Sequence, residues 1–282
     1  MSEALQNAFF IVGCQRSGTT LMRLVLECHS HIECLDERFS YPMLAGHYEP
    51  SRRTRLLGLK VPCITEQFGQ EVLSDILLLP ESRNPYEGQP LLFMLRDVRD
   101  TVASMRALKL GNRPWLDMYL QPTLRTKRER EPAFAERYAS AFALLEQARH
   151  RELASAALYW RYKTESLLAH IARGLPVLAI RYEDLVARPT LELLRLCGFL
   201  RIPWEPALIA HPDFQHGEVD RFGTAIGGTD SRRPIDTTSV GKWRSSFSKD
   251  ELDEILAFAG TMQSLAYPDS EKPLVGRRDG YA

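Results

Sequence analysis

Apolar residues run without interruption through Ala8–Val12, Leu91–Leu95 and Val177–Ile180. Such runs predict strands covered on both faces, as in a parallel sheet. A further short run, Leu56–Val61, is stopped by Pro62. After the first run the pattern changes. Gly13–Thr20 is rich in turn-forming residues, and then Leu21, Leu24, Val25 and Cys28 fall on one helical face. Strand, glycine loop and helix in that order open a parallel nucleotide-binding sheet. Helical spacing also predicts helices over Gln67–Leu79, from Asp97 or Asp100 onward, over Ala133–Arg149, over Glu152–Arg173 and over Thr190–Phe199. A final helix is expected over Ser248–Ala266, where Ser248 and Glu251 make a capping box. Residues 211–241 hold Gly, Asp, Thr and Ser with little period, which marks a long functional loop. The fold class expected is α/β, a P-loop-like central parallel sheet flanked by helices, in a single domain over residues 1–282.

Charge narrows the partners. The chain of 282 residues carries 36 basic and 36 acidic side chains, so no general basic surface for nucleic acid is expected. The five cysteines, Cys14, Cys28, Cys34, Cys63 and Cys197, lack CxxC or Cys/His metal spacing. They read as reduced thiols, with Cys34 and Cys63 the pair that a disulfide would join. No bound metal is expected. No apolar run approaches the roughly 20 residues of a membrane span, and no basic leader precedes Phe9. The expectation is a cytoplasmic protein with no membrane partner.

The glycine loop is the first candidate for chemistry. Backbone N–H groups at a helix start, with Gly13 and Gly18 allowing close approach, form a ready cradle for a phosphate or phosphosulfate. Its spacing nearly fits the nucleotide-hydrolase pattern G-x-x-x-x-G-K-[ST], but Thr19 stands where the Lys belongs. Arg16, inside the loop, is the nearest cation. A P-loop kinase acting on a small molecule is the alternative reading, and it lacks both that Lys and a convincing Walker-B Asp. A nucleotide-binding regulatory module without turnover is a third.

Two stretches in the right order then resemble one family. Arg16-Ser17-Gly18-Thr19-Thr20-Leu21 is similar to the 5'-phosphosulfate loop of sulfotransferases that use 3'-phosphoadenosine 5'-phosphosulfate (PAPS). Arg96 at a strand end, followed by Ser104, resembles their 3'-phosphate motif. Arg181-Tyr182-Glu183-Asp184-Leu185 looks like the family's third strand end, and Ser239-Val240-Gly241-Lys242-Trp243-Arg244 like its late loop over the cofactor, with Gly227–Asp236 as a flap. Within the family, the run from Arg16 through His29 and Cys34 to the acidic pair Asp36-Glu37, and Lys60 followed by Pro62, resemble tyrosylprotein sulfotransferases.

The resemblance implies a sulfotransferase fold and transfer of a sulfuryl group from PAPS to an acceptor hydroxyl on a tyrosyl peptide, a sugar or a small metabolite. It implies Glu37 as general base, with Arg16 and Lys60 stabilising the transferring group. Ser17, Gly18, Thr19 and Thr20 would hold the 5' end, and Arg96 and Ser104 the 3'-phosphate. Tyr182 would lie near the adenine, and Lys242 and Trp243 would close over the cofactor. Read from the residues alone, several alternatives stay open. Glu37 is either a base or a solvated acid, and Asp36 and His47 compete for its role. His29 reads as a packing residue. Arg96 is either a phosphate ligand or the partner of Asp97 or Asp100. Arg99 is either functional or structural, and Tyr182 suits the core as well as an adenine.

Overall fold

The computed structural model describes residues 3–48, 56–214, 216 and 229–268. A short 3-10 turn leads into β1 (Ala8–Gly13), followed by α1 (Thr19–Glu27), β2 (Ile32–Leu35), α2 (Glu37–Leu44) and β3 (Leu56–Lys60). A 3-10 turn, Pro62–Gln67, precedes a hairpin of β4 (Val72–Asp75) and β5 (Leu79–Arg83), then β6 (Leu91–Leu95) and α3 (Val98–Ala107). A second small hairpin, β7 (Lys109–Leu110) and β8 (Arg113–Pro114), joins α3 to a π-helical turn, Leu116–Leu120. The chain continues through α4 (Gln121–Arg130), α5 (Pro132–Arg137), α6 (Ala139–Leu145), α7 (Arg151–Ala172), β9 (Val177–Arg181), α8 (Tyr182–Ala187) and α9 (Pro189–Leu200). Past the late loop lie α10 (Lys249–Ala259) and α11 (Thr261–Ala266).

Five strands form one sheet in the order β2-β3-β1-β6-β9, every neighbouring pair parallel. The α/β expectation holds, and all three continuous apolar runs are strands of this sheet. Alternation sorts their side chains between two faces. Phe10, Val12, Leu91 and Phe93 belong to a core shared with Leu158, Tyr159 and Trp160 of α7. Phe9, Ile11, Leu92 and Met94 join Met22, Val25 and Leu26 of α1 and Leu193 and Leu196 of α9. Register brings the strand tips level, with Ile11 opposite Lys60, Gly13 opposite Met94, and Leu95 opposite Arg181. In such sheets ligands bind beyond the carboxyl ends of the strands.

Four expected boundaries change. Gln67–Leu79 is not a helix. Gly69 sits at φ 91, and the Gln67 side chain pairs with both the N–H and the carbonyl of Ser74, as a neighbouring strand would. The segment therefore turns into the β4–β5 hairpin. Ala133–Arg149 breaks at Tyr138, whose φ of −108 and ψ of 15 leave the helical region while its hydroxyl bonds Glu165. Ser248–Ala266 keeps its capping box but breaks at Gly260, φ 59. The long loop over 211–241 contains one short 3-10 turn, His211–Asp213, where it is described, and the start of the expected flap, at Gly227 and Gly228, lies outside the described residues.

A buried polar cluster fixes the start of α3. Asp97 N–H donates to Glu183 Oε1 at 3.1 Å, and Tyr267 OH donates to Glu183 Oε2 at 2.9 Å. Gln263 on α11 accepts from Val98 N–H and donates to Asp97 Oδ2. Burial pushes the Glu183 carboxyl up to about 7. The folded state therefore binds this proton more tightly than the unfolded chain, and stability falls as pH rises from the ordinary carboxyl range through 7. Glu183→Gln, an isostere without the charge, is expected to match the wild type in urea unfolding near pH 4.5. It should become the more stable protein by about 2–3 kcal/mol at pH 8. A pH-independent difference would show that Glu183 keeps its charge when buried.

Candidate active site

The loop between β1 and α1 is built by two glycines that no other residue replaces without strain. Gly13 has φ 128, and a Cβ there would lie 2.3 Å from the Met94 carbonyl oxygen. Gly18 has φ 100, and its Cβ would lie 2.6 Å from Cδ2 of Tyr182. Thr65 accepts the Gly13 N–H at 2.9 Å, which ties the loop to the turn after β3. Arg16 has φ 71, a left-handed backbone that costs a non-glycine residue about 1–2 kcal/mol. Its carbonyl accepts Nη1 of Arg96 at 3.0 Å, and its own Nε donates to Ser104 Oγ at 3.0 Å. The two sequence motifs thus touch.

Arg96 follows β6 and is buried. Besides the Arg16 carbonyl it donates from Nη2 to the Ser239 carbonyl at 2.7 Å, and its guanidinium lies 4.5 Å from the Tyr182 ring centroid. Its Nε is buried without a partner among the described residues. Trp160 fixes the Arg96 backbone by donating to its carbonyl at 2.9 Å. Asp97 pairs instead with Arg99 at 2.6 Å, and Asp100 accepts the N–H groups of Gly241 and Trp243 at 2.7 and 3.0 Å. The ion-pair alternative for Arg96 is therefore not what the structure forms. Arg99 also stacks on Trp243, 4.1 Å from its centroid.

Around this junction lies a cavity of about 420 Å³. Arg16, Gly18, Thr19, Thr20, Arg96, Ser104, Tyr182 and Lys242 all line it. Two expected members do not. The Ser17 hydroxyl turns inward to donate to the Cys14 carbonyl at 2.6 Å. Trp243 packs against the Arg99 guanidinium instead. The cavity also recruits Arg233, Asp236, Ser239 and Ser246. Arg233 and Asp236 fall in the expected flap and Ser239 opens the late-loop motif, but no periodicity distinguishes the individual residues that face the cavity, and Ser246 lies beyond that motif.

A second cavity, about 80 Å³, shares Arg16, Thr19 and Thr20 with the first. Glu37 and Lys60 line it together, with Nζ and Oε1 3.6 Å apart. Leu77, Leu78, Leu108, Leu110, Trp115 and Tyr119 supply the rest of its character. Asp36 caps α2, accepting the Arg38 N–H at 2.8 Å and pairing with its guanidinium. Neither Asp36 nor His47 lines either cavity. Buried His29 shares a hydrogen bond with the Pro203 carbonyl, 2.8 Å away, as a packing residue. With His31 and Glu205 it brings three potential metal ligands together, but none of the three lines these cavities. Burial, helped by neighbouring Arg96, lowers the Arg16 pKa to about 10, so it stays cationic at neutral pH.

The sulfotransferase family model matches residues 8–70 and 87–206. The chain belongs to the sulfotransferase family, and it is an enzyme of sulfuryl transfer. It is similar to a putative protein-tyrosine sulfotransferase of Caenorhabditis briggsae, 22% identical over 97% of this chain and 94% of that one. Protein-tyrosine sulfotransferase 1 of Danio rerio is 24% identical over 96% of this chain and 75% of its own. In fold it resembles the sulfotransferase domain from the curacin biosynthetic pathway, with TM-score 0.54 and 16% identity over 87% of this chain and 95% of that one. Mouse sulfotransferase SULT7A1 complexed with PAP gives TM-score 0.51 and 15% identity over 93% and 90%.

Two glycines separate the cost of backbone strain from that of a clash. A Cβ added at Gly46, φ 75, would meet nothing within 4 Å, whereas one at Gly18 would meet the Tyr182 ring. Gly46→Ala should lose about 1 kcal/mol in urea unfolding, and Gly18→Ala about 3 kcal/mol. Equal losses would mean that Tyr182 moves aside without cost.

Proposed function

We propose that the larger cavity binds PAPS and the smaller one admits a phenolic hydroxyl, such as that of a tyrosyl residue. The observation that carries this reading is the shared wall. Arg16, Thr19 and Thr20 border both cavities, so a sulfuryl group held on the loop faces donor and acceptor at once. The loop N–H groups and the start of α1 would hold the 5'-phosphosulfate. Ser104 accepts from Arg16, which leaves its O–H proton to donate to the 3'-phosphate. Arg96, which lines the same cavity, would add a charge-assisted bond from its guanidinium.

Glu37 takes the proton of the acceptor hydroxyl as its oxygen bonds to sulfur. The bond between sulfur and the bridging phosphate oxygen breaks, and 3'-phosphoadenosine 5'-phosphate (PAP) leaves with that electron pair. Charge gathers on the sulfuryl oxygens and the leaving phosphate, where Arg16, Lys60 and the loop amides lie. A sulfuryl group carries less charge than a phosphoryl group, so the reaction is proposed to need no metal. The leucines and aromatics of the smaller cavity suit a flat apolar phenol better than a sugar. The relatives named above as protein-tyrosine sulfotransferases support the same choice. All five cysteines are unpaired and buried, which supports a reducing compartment such as the cytoplasm. Among the described residues no helix is long and apolar enough to cross a membrane.

Three measurements by calorimetry and steady-state turnover test this together. Glu37→Gln should bind PAP like the wild type and lose roughly 10²–10⁴ in kcat. Arg96→Ala should weaken PAP binding roughly 10–100-fold. ATP with Mg²⁺ should bind far more weakly than PAP, because Thr19 stands where a P-loop kinase has its Lys. Normal turnover by Glu37→Gln, or tighter binding of ATP than of PAP, would contradict the assignment.

A further inference from the structure

Asp75 lines neither cavity, yet it is tied to the smaller one at two points. Its Oδ1 accepts the N–H groups of Leu77 and Leu78 at 3.0 and 2.9 Å. Those leucines form the connection between β4 and β5, and both line the smaller cavity. Its Oδ2 accepts the Tyr119 hydroxyl at 2.6 Å. Tyr119 is buried, lines the same cavity, and accepts Nε2 of Gln15 at 3.2 Å. Gln15 precedes Arg16 in the anion loop, and its amide oxygen accepts the Tyr159 hydroxyl at 2.7 Å. A continuous hydrogen-bonded chain thus runs from the donor loop, through Gln15 and Tyr119, to Asp75 and the leucine wall.

We infer that Asp75 is a positioning residue for the acceptor. It sets the distance between the leucine wall and the loop that presents the sulfuryl group. The inference rests on the reading of the smaller cavity as the acceptor site. Its physical basis is the isolation of the hairpin. Among the described residues β4 and β5 pair with each other, in a two-stranded sheet separate from the central one. A lone two-stranded ribbon is marginal in water and takes its position from tertiary contacts. Leu73 and Leu79 bury the base of the ribbon in the core, but at its tip Ile76 and Leu77 are each 42% exposed, so packing holds the tip less firmly than the base. Asp75 links that tip to a buried tyrosine whose place is fixed by the loop itself. Charge-assisted hydrogen bonds are the stronger kind, and this one connects the exposed side of the cavity to its buried side.

The test is steady-state kinetics with the phenolic acceptor that the wild-type enzyme sulfates fastest, beside PAP titrations and thermal melts. Asp75→Ala should raise the acceptor KM about 10-fold, a loss typical of one charge-assisted bond. The kcat should stay within about 3-fold and the PAP Kd within about 2-fold. Asp75→Asn keeps an oxygen for the turn but loses the charge-assisted bond to Tyr119, so its KM should fall between those of the wild type and Asp75→Ala. Adding Tyr119→Phe to Asp75→Asn should raise KM by less than Tyr119→Phe does in the wild type, because both changes cut the bond to Asp75 while only Tyr119→Phe also removes the acceptor of Gln15 Nε2. An unchanged KM in Asp75→Ala and Asp75→Asn, or strict additivity in the cycle, overturns the inference. Leu78→Trp tests the reading beneath it by filling the cavity. If it blocks turnover while the Asp75 variants do not raise KM, only the positioning role fails. If Leu78→Trp leaves turnover and the acceptor KM unchanged, or the wild type sulfates no phenol, the acceptor reading itself fails. Should Asp75→Ala not fold, Asp75→Asn carries the test.

Discussion

The site depends on one contact between two strand tips, the grip of Arg96 on the carbonyl of Arg16 with Arg16 returning a bond to Ser104. Two arginines this close repel, and burial together with that repulsion lowers the Arg16 pKa. The fold tolerates it because each guanidinium also bonds neutral oxygens, and because the Tyr182 ring offers a face to Arg96. An anion placed between the two would relieve the remaining repulsion. A pair of cations held beside a helix start, in a cavity at the carboxyl edge of a parallel sheet, favours an anionic ligand.

Much of this is legible in the sequence because the relevant signals are local. Continuous apolar runs identify central strands without knowledge of their neighbours. Gly13 and Gly18 are readable because the turn demands positive φ, and Arg96 because it follows a strand directly. What stayed hidden depends on partners distant in the chain. The hairpin over 72–83 is masked by helical spacing, and the turn at Gly69, the Gln67–Ser74 pairing and the turn at Asp75 decide against a helix. Edge strand β2 is a four-residue segment that takes its identity from β3. Asp100 looks like a partner for Arg96 in sequence, but in space it holds the backbone of Gly241 and Trp243.

The same division explains which candidate residues face the cavities. Glu37 and Lys60 come from different elements, α2 and β3, yet the parallel register sets both at one edge, 3.6 Å apart. Ser17 belongs to the loop by sequence but serves its internal geometry, through the bond to the Cys14 carbonyl. Trp243 packs on Arg99, and its N–H is held by Asp100. Residues that shape the backbone and residues that face a ligand alternate within a few positions, and only the fold distinguishes them.

The most direct measurement is a crystal structure of the enzyme with PAP bound. The account predicts the 5'-phosphate on the N–H groups of residues 18–20 and the 3'-phosphate against Arg96 and Ser104, with Glu37 facing the open side of the 5' group. A nucleotide bound in the opposite sense, or anywhere that leaves Arg96 and Ser104 untouched, would contradict it.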